Sequence, residues 1–100
     1  MRIVALTTDL MDRSRLSGAL GDVEFARDAA ACAGADVVVI DLAREAAAVA
    51  AVRAVAPAAR IVAFGPHVDT ELLERAATDG ADVVVPRSRF FQDPAAALTP

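Results

Sequence analysis

Four stretches carry the residue types that could do chemistry: Thr7-Thr8-Asp9, Asp41, Gly65-Pro66-His67 and Pro86-Arg87. Phosphoryl transfer to a carboxylate needs an exposed Asp as nucleophile and a divalent cation, usually held by further carboxylates. It also needs a fixed positive charge and a hydroxyl donor to stabilise the charge in flight. Asp41 is the candidate phosphoacceptor by position. Asp9 is the candidate second carboxylate, and Asp9 with Asp41 would make only a weak magnesium site, the ion keeping several waters. The competing role for Asp41 is to cap the helix that follows it. His67 has no second His and no Cys near it in sequence, so zinc is unsupported and the ring reads as a loop residue facing solvent. Neither GxGxxG nor a Walker loop occurs, and there is no Ser-His-Asp context or nucleophile elbow.

These residues follow apolar runs that must position them. Arg2 to Leu6 reads as a strand broken by Thr7-Thr8-Asp9. A short helix is expected around residues 12–20, where Leu16 and Leu20 share a stripe with Met11 nearby. Gly21-Asp22 turns the chain into a short second strand, 23–26, and a brief helical segment near 29–32 closes at Gly34. Val37-Val38-Val39-Ile40 is continuous rather than alternating, as in a strand covered on both faces. A helix near 44–56 stops at Pro57. Residues 60–64 form the next strand, ended by Gly65-Pro66. Asp69 caps a helix with Leu72, Leu73, Ala76 and Ala77 on its apolar stripe. Val83 to Val85 is the last strand, and Asp93-Pro94 opens a short final helix through Leu98.

Strand and helix thus alternate along the chain, which predicts a parallel sheet with helices on both faces and right-handed crossovers. The phrase GADVVV occurs twice, at 34–39 and 80–85. It reads as one way of starting a strand used twice, with a helix-closing Gly, an exposed Asp and buried valines. Parallel strands deliver their last residues to the carboxyl edge of the sheet, where open sheets bind ligands at the point of strand-order reversal. For an order 2-1-3-4-5 that crevice lies between the first and third strands, lined by Thr7, Thr8, Asp9 and Asp41.

Composition bounds the rest. One hundred residues, 56% hydrophobic and 24% charged, make a single globular domain spanning 1–100. Twenty-five alanines make thin helices that can approach a sheet closely. The net charge of -4 gives no electrostatic reason to bind nucleic acid or an anionic membrane. Cys32 is the only cysteine, so it forms no internal disulfide and reads as a small buried residue. No run approaches a membrane span, and the N-terminal apolar run is too short for a signal segment, so a cytoplasmic location is expected.

The stretches RIVALTTDLMDRSRL, ADVVVIDL, RIVAFGPH and the GAD before the last strand resemble the receiver domain of bacterial response regulators, over nearly the whole chain. The resemblance implies a flavodoxin-like, doubly wound, five-stranded parallel sheet of order 2-1-3-4-5, here with shortened second and fifth helices. It implies a phosphoacceptor at Asp41. Other site positions depart from the family. Its acidic pair falls on Thr7 and Thr8, with Asp9 just beyond. Its Thr or Ser ending the fourth strand falls on Gly65, and its Lys ending the fifth falls on Pro86, beside Arg87. Its aromatic switch falls near Val83. Arg87 is not a simple substitute for Lys, because a guanidinium fork differs from a point charge.

The sequence therefore leads us to expect a degenerate receiver-like signalling or protein-interaction module that acts without aspartyl phosphorylation, is not an enzyme and holds no cofactor. A working phosphoacceptor at Asp41, with Mg, is the alternative. A small-molecule sensor at the same edge is another, with Thr8, Asp9, Asp41, Gly65, His67 and Arg87 around the ligand. Receivers pair through the fourth helix, fifth strand and fifth helix. Leu72, Arg75, Arg89, Phe90 and Phe91 are thus the expected interface for a protein partner or a homodimer. Of the two adjacent phenylalanines, one is expected in the core and the other exposed as an anchor or folded under the last helix.

Overall fold

The computed structural model describes residues 1–99. Five strands, β1 (Ile3–Leu6), β2 (Val23–Phe25), β3 (Val37–Asp41), β4 (Arg60–Gly65) and β5 (Val83–Pro86), form one parallel sheet of order β2-β1-β3-β4-β5. The helices are α1 (Leu10–Leu20), α2 (Leu42–Glu45), α3 (Ala48–Val55), α4 (Thr70–Thr78), α5 (Arg87–Phe90) and α6 (Pro94–Leu98), with a 3-10 turn at Ala29–Cys32. The doubly wound sheet expected from the alternation of elements is observed. The shortening is local: a 3-10 turn stands between β2 and β3, and α5 is only four residues long. No helix among the described residues is long and apolar enough to cross a membrane.

Alternation along each strand sends side chains into two cores, one per face. Val38, Ile40, Ile61 and Ala63 join Cys32, Val49, Val52 and Ala76 on one face. Val37, Val39, Val62 and Phe64 join Leu16, Phe90 and Leu98 on the other. Cys32 is fully buried, and burial pushes its thiol pKa up, away from reactivity.

Two elements differ from the sequence expectation. The helix foreseen near 44–56 is two pieces, α2 and α3, separated by a turn at Ala46-Ala47. The Asp41 side chain caps the chain at Ala43, so helix starts at the very end of β3. It then bends before α3, which carries Val49 and Val52 into the core. The turn of helix after β5 was not expected, because Arg-Ser-Arg-Phe has no side-chain cap before it.

The repeated GADVVV solves one problem twice. Gly34 and Gly80 have φ of 80° and 119°, a region that favours glycine. The Asp36 carboxylate accepts the Arg2 N–H beside β1, at 2.7 Å. The Asp82 carboxylate accepts the Ile61 N–H of β4, at 2.8 Å. An arginine then ties down each preceding turn. Arg2 donates to the Ala31 and Ala33 carbonyls, and Arg53 to Gly80, Pro57 and Ala59.

This arrangement sets an acid limit on stability. Burial pushes the Asp82 carboxyl up, but the Ile61 N–H and the Arg53 guanidinium outweigh it and hold the pKa below its ordinary value. A depressed folded-state pKa adds stability that is fully present above the unfolded value of about 3.9 and is lost as pH falls through the folded value. The stability of the domain is expected to fall below about pH 4, and Asp82→Asn to flatten that slope. Urea titrations of both proteins between roughly pH 2 and 6 check this; equal slopes would contradict it.

Candidate functional site

The carboxyl ends of β1, β3, β4 and β5 bring most of the candidate residues to one rim. Thr7 follows β1 and is 2% exposed, and Asp41, the last residue of β3, is 2% exposed. The Thr7 hydroxyl donates to Asp41 Oδ2 at 3.3 Å, and the Ala43 N–H donates to Asp41 Oδ1 at 3.1 Å. Asp41 is therefore a buried cap, each of its oxygens accepting one hydrogen bond from the chain that surrounds it. Thr8 is exposed.

Asp9 caps α1. Its Oδ1 accepts the Asp12 N–H at 2.9 Å, and its Oδ2 lies 3.6 Å from Arg44 Nη2. The Asp12 N–H bond chiefly holds the Asp9 carboxyl below its usual range, with Arg44 adding to it. Gly65 ends β4 and is paired with Pro86. His67 is exposed in the loop that follows.

Arg87 reaches back into the rim, as its place beside Pro86 allows, but it lands on a residue the sequence reading passed over. Its guanidinium forms a two-pronged ion pair with Asp12, Nη1 to Oδ2 at 2.6 Å and Nη2 to Oδ1 closer still. Asp12 is the most deeply buried carboxylate of the rim at 0% exposure. This pair raises the Arg87 pKa further, Asp12 acting first and Asp41 and Asp9 adding to it. The Arg87 guanidinium also lies over the rings of Phe64 and Phe91, at 5.7 and 5.0 Å from their centroids. A signal for Asp12 was present: it precedes Leu16 by four residues, which puts it on the buried stripe of α1.

Every carboxylate oxygen of Asp9, Asp12 and Asp41 has a protein partner, and two of the three carboxylates lie against guanidinium groups, Asp9 against Arg44 and Asp12 against Arg87. Among the described residues no group of three or more His, Cys, Asp or Glu could hold a metal.

Gly65 cannot take the missing hydroxyl without disturbance. A Cβ built there would lie 3.2 Å from Leu42 Cβ and 3.3 Å from Leu73 Cδ2. Gly65→Thr is expected to destabilise the domain by about 1–3 kcal/mol through overpacking. Chemical denaturation checks this, and an unchanged midpoint would show that α2 and α4 yield freely.

Of the expected interface residues, Phe90 is 1% exposed and closed to a partner. Its ring stacks on Phe64 at 4.9 Å, and Phe91 meets both rings edge-on, at 5.2 and 5.0 Å. Phe91 is half-buried, so both phenylalanines join the core end rather than one standing out as an anchor. Leu72 is half-buried against the other core, while Arg75 and Arg89 are exposed. A cleft of about 370 Å³ lies between β5 and α6, lined by Arg60, Val83, Val85, Arg89 and Ala97 among others. A second, of about 280 Å³, is lined by residues around Gly34 and Pro57. Neither is lined by any residue proposed for a ligand at the rim.

The fold is that of a CheY-like response-regulator receiver domain. No family model matches the chain, and a search of curated proteins finds no match. Solved structures do match. A response regulator from Burkholderia pseudomallei, described with a phosphorylated aspartic acid, calcium ion and citrate, superposes with a TM-score of 0.82. It is 18% identical, and the match covers 98% of this chain and 66% of that one. A response regulator receiver domain from Clostridium thermocellum gives a TM-score of 0.78 at 17% identity, over 97% of this chain and 90% of that one. A CheY-like protein, TadZ, from Pseudomonas aeruginosa gives 0.71 at 23% identity, over 88% and 87% of the two chains. At these identities the likeness establishes the fold. The match covers 90% of the C. thermocellum domain, so the shortening is confined to single elements.

Proposed function

We propose that this chain is a receiver-like signalling module that works by protein contact, with Asp41 serving as a structural cap. The observation that carries the reading is the closed set of rim interactions. Arg87 holds Asp12, Arg44 sits beside Asp9, and Thr7 with the Ala43 amide holds Asp41. Phosphate chemistry at such a rim would require these contacts to break, and no hydroxyl side chain ends β4 to follow the phosphoryl group. No catalytic role is assigned to any residue.

The second reading, a phosphoacceptor at Asp41, is favoured by the solved receivers of the same fold, one of which is described with a phosphorylated aspartic acid. Asp41 also sits where β3 ends, beside a hydroxyl and within the field of Arg87. Beryllofluoride with Mg²⁺ separates the two. Under the contact reading, the melting temperature and the amide spectrum of the protein do not change on addition. A saturable shift at Asp41 and Thr7 would establish the phosphoacceptor.

A further inference from the structure

β5 is an edge strand of the sheet, and the chain that follows it is broken helix. α5 ends at Phe90, residues 91–92 turn, and α6 restarts at Pro94 under the Asp93 cap. α6 then packs chiefly on α1 and β4 rather than on β5. Val83 and Val85 consequently stay half-buried beside the gap between the two helical pieces. The gap is the cleft of about 370 Å³, a size within the range of small-molecule sites.

The lining joins these valines to charge. The Arg60 guanidinium is held by two carbonyls, Nε donating to Ala97 at 3.1 Å and Nη2 to Thr99 at 3.4 Å. Those bonds fix the group without neutralising it, and they leave Nη1 for a ligand. Asp82, which feels the Arg60 charge, is already bonded to Arg53. Arg89 is exposed, and among the described residues neither arginine pairs with a carboxylate. Asp93 is the one acid in the lining, and its Oδ1 accepts the Ala96 N–H of the α6 cap. Two guanidinium groups against one carboxylate leave a single surplus positive charge at the cleft, in a chain whose net charge is -4.

We propose that this cleft binds a small amphipathic monocarboxylate of the kind of a medium-chain fatty acid. Its carboxylate meets the fork of Arg89 and the Nη1 of Arg60. Its hydrocarbon tail lies on Val83, Val85 and Ala97 and takes their remaining apolar surface out of water. One negative charge cancels the surplus, whereas a doubly charged phosphate would exceed it and face Asp93. The cleft shares no lining residue with the rim, so the inference goes beyond the contact reading and is independent of whether Asp41 accepts a phosphoryl group.

The test titrates the full chain with decanoate, kept below the concentration at which it forms micelles, and follows the amide NMR spectrum. Saturable one-to-one binding with shifts centred on β5 and α6, weakening as salt rises, is expected. Decanol, which has the tail without the charge, and acetate, which has the charge without the tail, are each expected to bind more weakly. Arg89→Gln is expected to weaken decanoate binding roughly fivefold, and Arg75→Gln on α4 to leave it unchanged. Both side chains are exposed, and the melting temperature of each variant confirms that it folds. No saturable binding, shifts on another face, decanol binding as tightly as decanoate, or equal weakening by the two variants would overturn the proposal. Phosphorylation of Asp41 would refute the contact reading without touching this readout, so the two failures are distinct.

Discussion

Arg87→Met is expected to destabilise the domain by about 2–4 kcal/mol, because it strands the Asp12 carboxylate inside α1's buried face with only the more distant Arg15, at 4.0 Å, to balance its charge. Removing one partner of a fully buried pair costs about 3–5 kcal/mol; the lower figure applies here because the Arg87 side chain is 40% exposed and water screens it. The methionine keeps most of the apolar contact with Phe64 and Phe91, so the loss reports charge rather than packing. For a domain of this size that corresponds to a fall in melting temperature of roughly 10–25 °C. The double variant Asp12→Leu with Arg87→Met removes both charges and is expected to recover most of the loss, since a buried ion pair and a well-packed apolar pair are often close in stability. Urea unfolding of the two single variants and the double variant checks this. A single-variant effect under about 0.5 kcal/mol would show that the pair behaves as a surface contact.

Phe64→Ala is the other large effect, at about 3–5 kcal/mol. Phe64 is fully buried, second to last in the strand β4, and its ring meets both Phe90 and Phe91. Truncation opens a cavity under the helical turn that directly follows β5, so α5 loses its footing as well. Stabilities of small domains run about 5–15 kcal/mol, and this variant is expected to sit near the unfolding threshold at 37 °C. Phe64→Leu is expected to be much milder, within about 1.5 kcal/mol. Because Arg87 lies over the same ring, the Phe64→Leu and Arg87→Met effects are expected to be non-additive. Guanidinium unfolding of the single and double variants measures this; additive losses would mean that the ring does not position the guanidinium.

The middle of the sheet was legible because β1, β3 and β4 are buried on both faces and therefore read as unbroken apolar runs, Val37 to Ile40 above all. The caps at Asp69 and Asp93 were legible for a local reason: each bonds an amide three residues on. The rim was legible only in part. Sequence order places Thr7, Asp9, Asp41 and Arg87 at strand ends, but it does not say which donor each carboxylate meets. Arg87 and Asp12 are 75 residues apart, and nothing local to either announces the other. Asp12 was passed over because a charged residue on a short, weakly amphipathic helix reads as solvent-facing, whereas its partner allows it to sit inside. The places of the two phenylalanines stayed open between an exposed anchor and a packed pair for a similar reason. A regular strand or helix would have sent them apart, but the turn ending α5 folds both rings onto Phe64.

The central claim is that the rim's charges are already satisfied by one another. Incubating the purified chain with a small-molecule phosphodonor and Mg²⁺, then reading the intact mass and mapping any modified residue, tests it most directly. An unchanged mass under conditions that label a working receiver is the expected result. Stoichiometric addition of a phosphoryl group at Asp41 would contradict it.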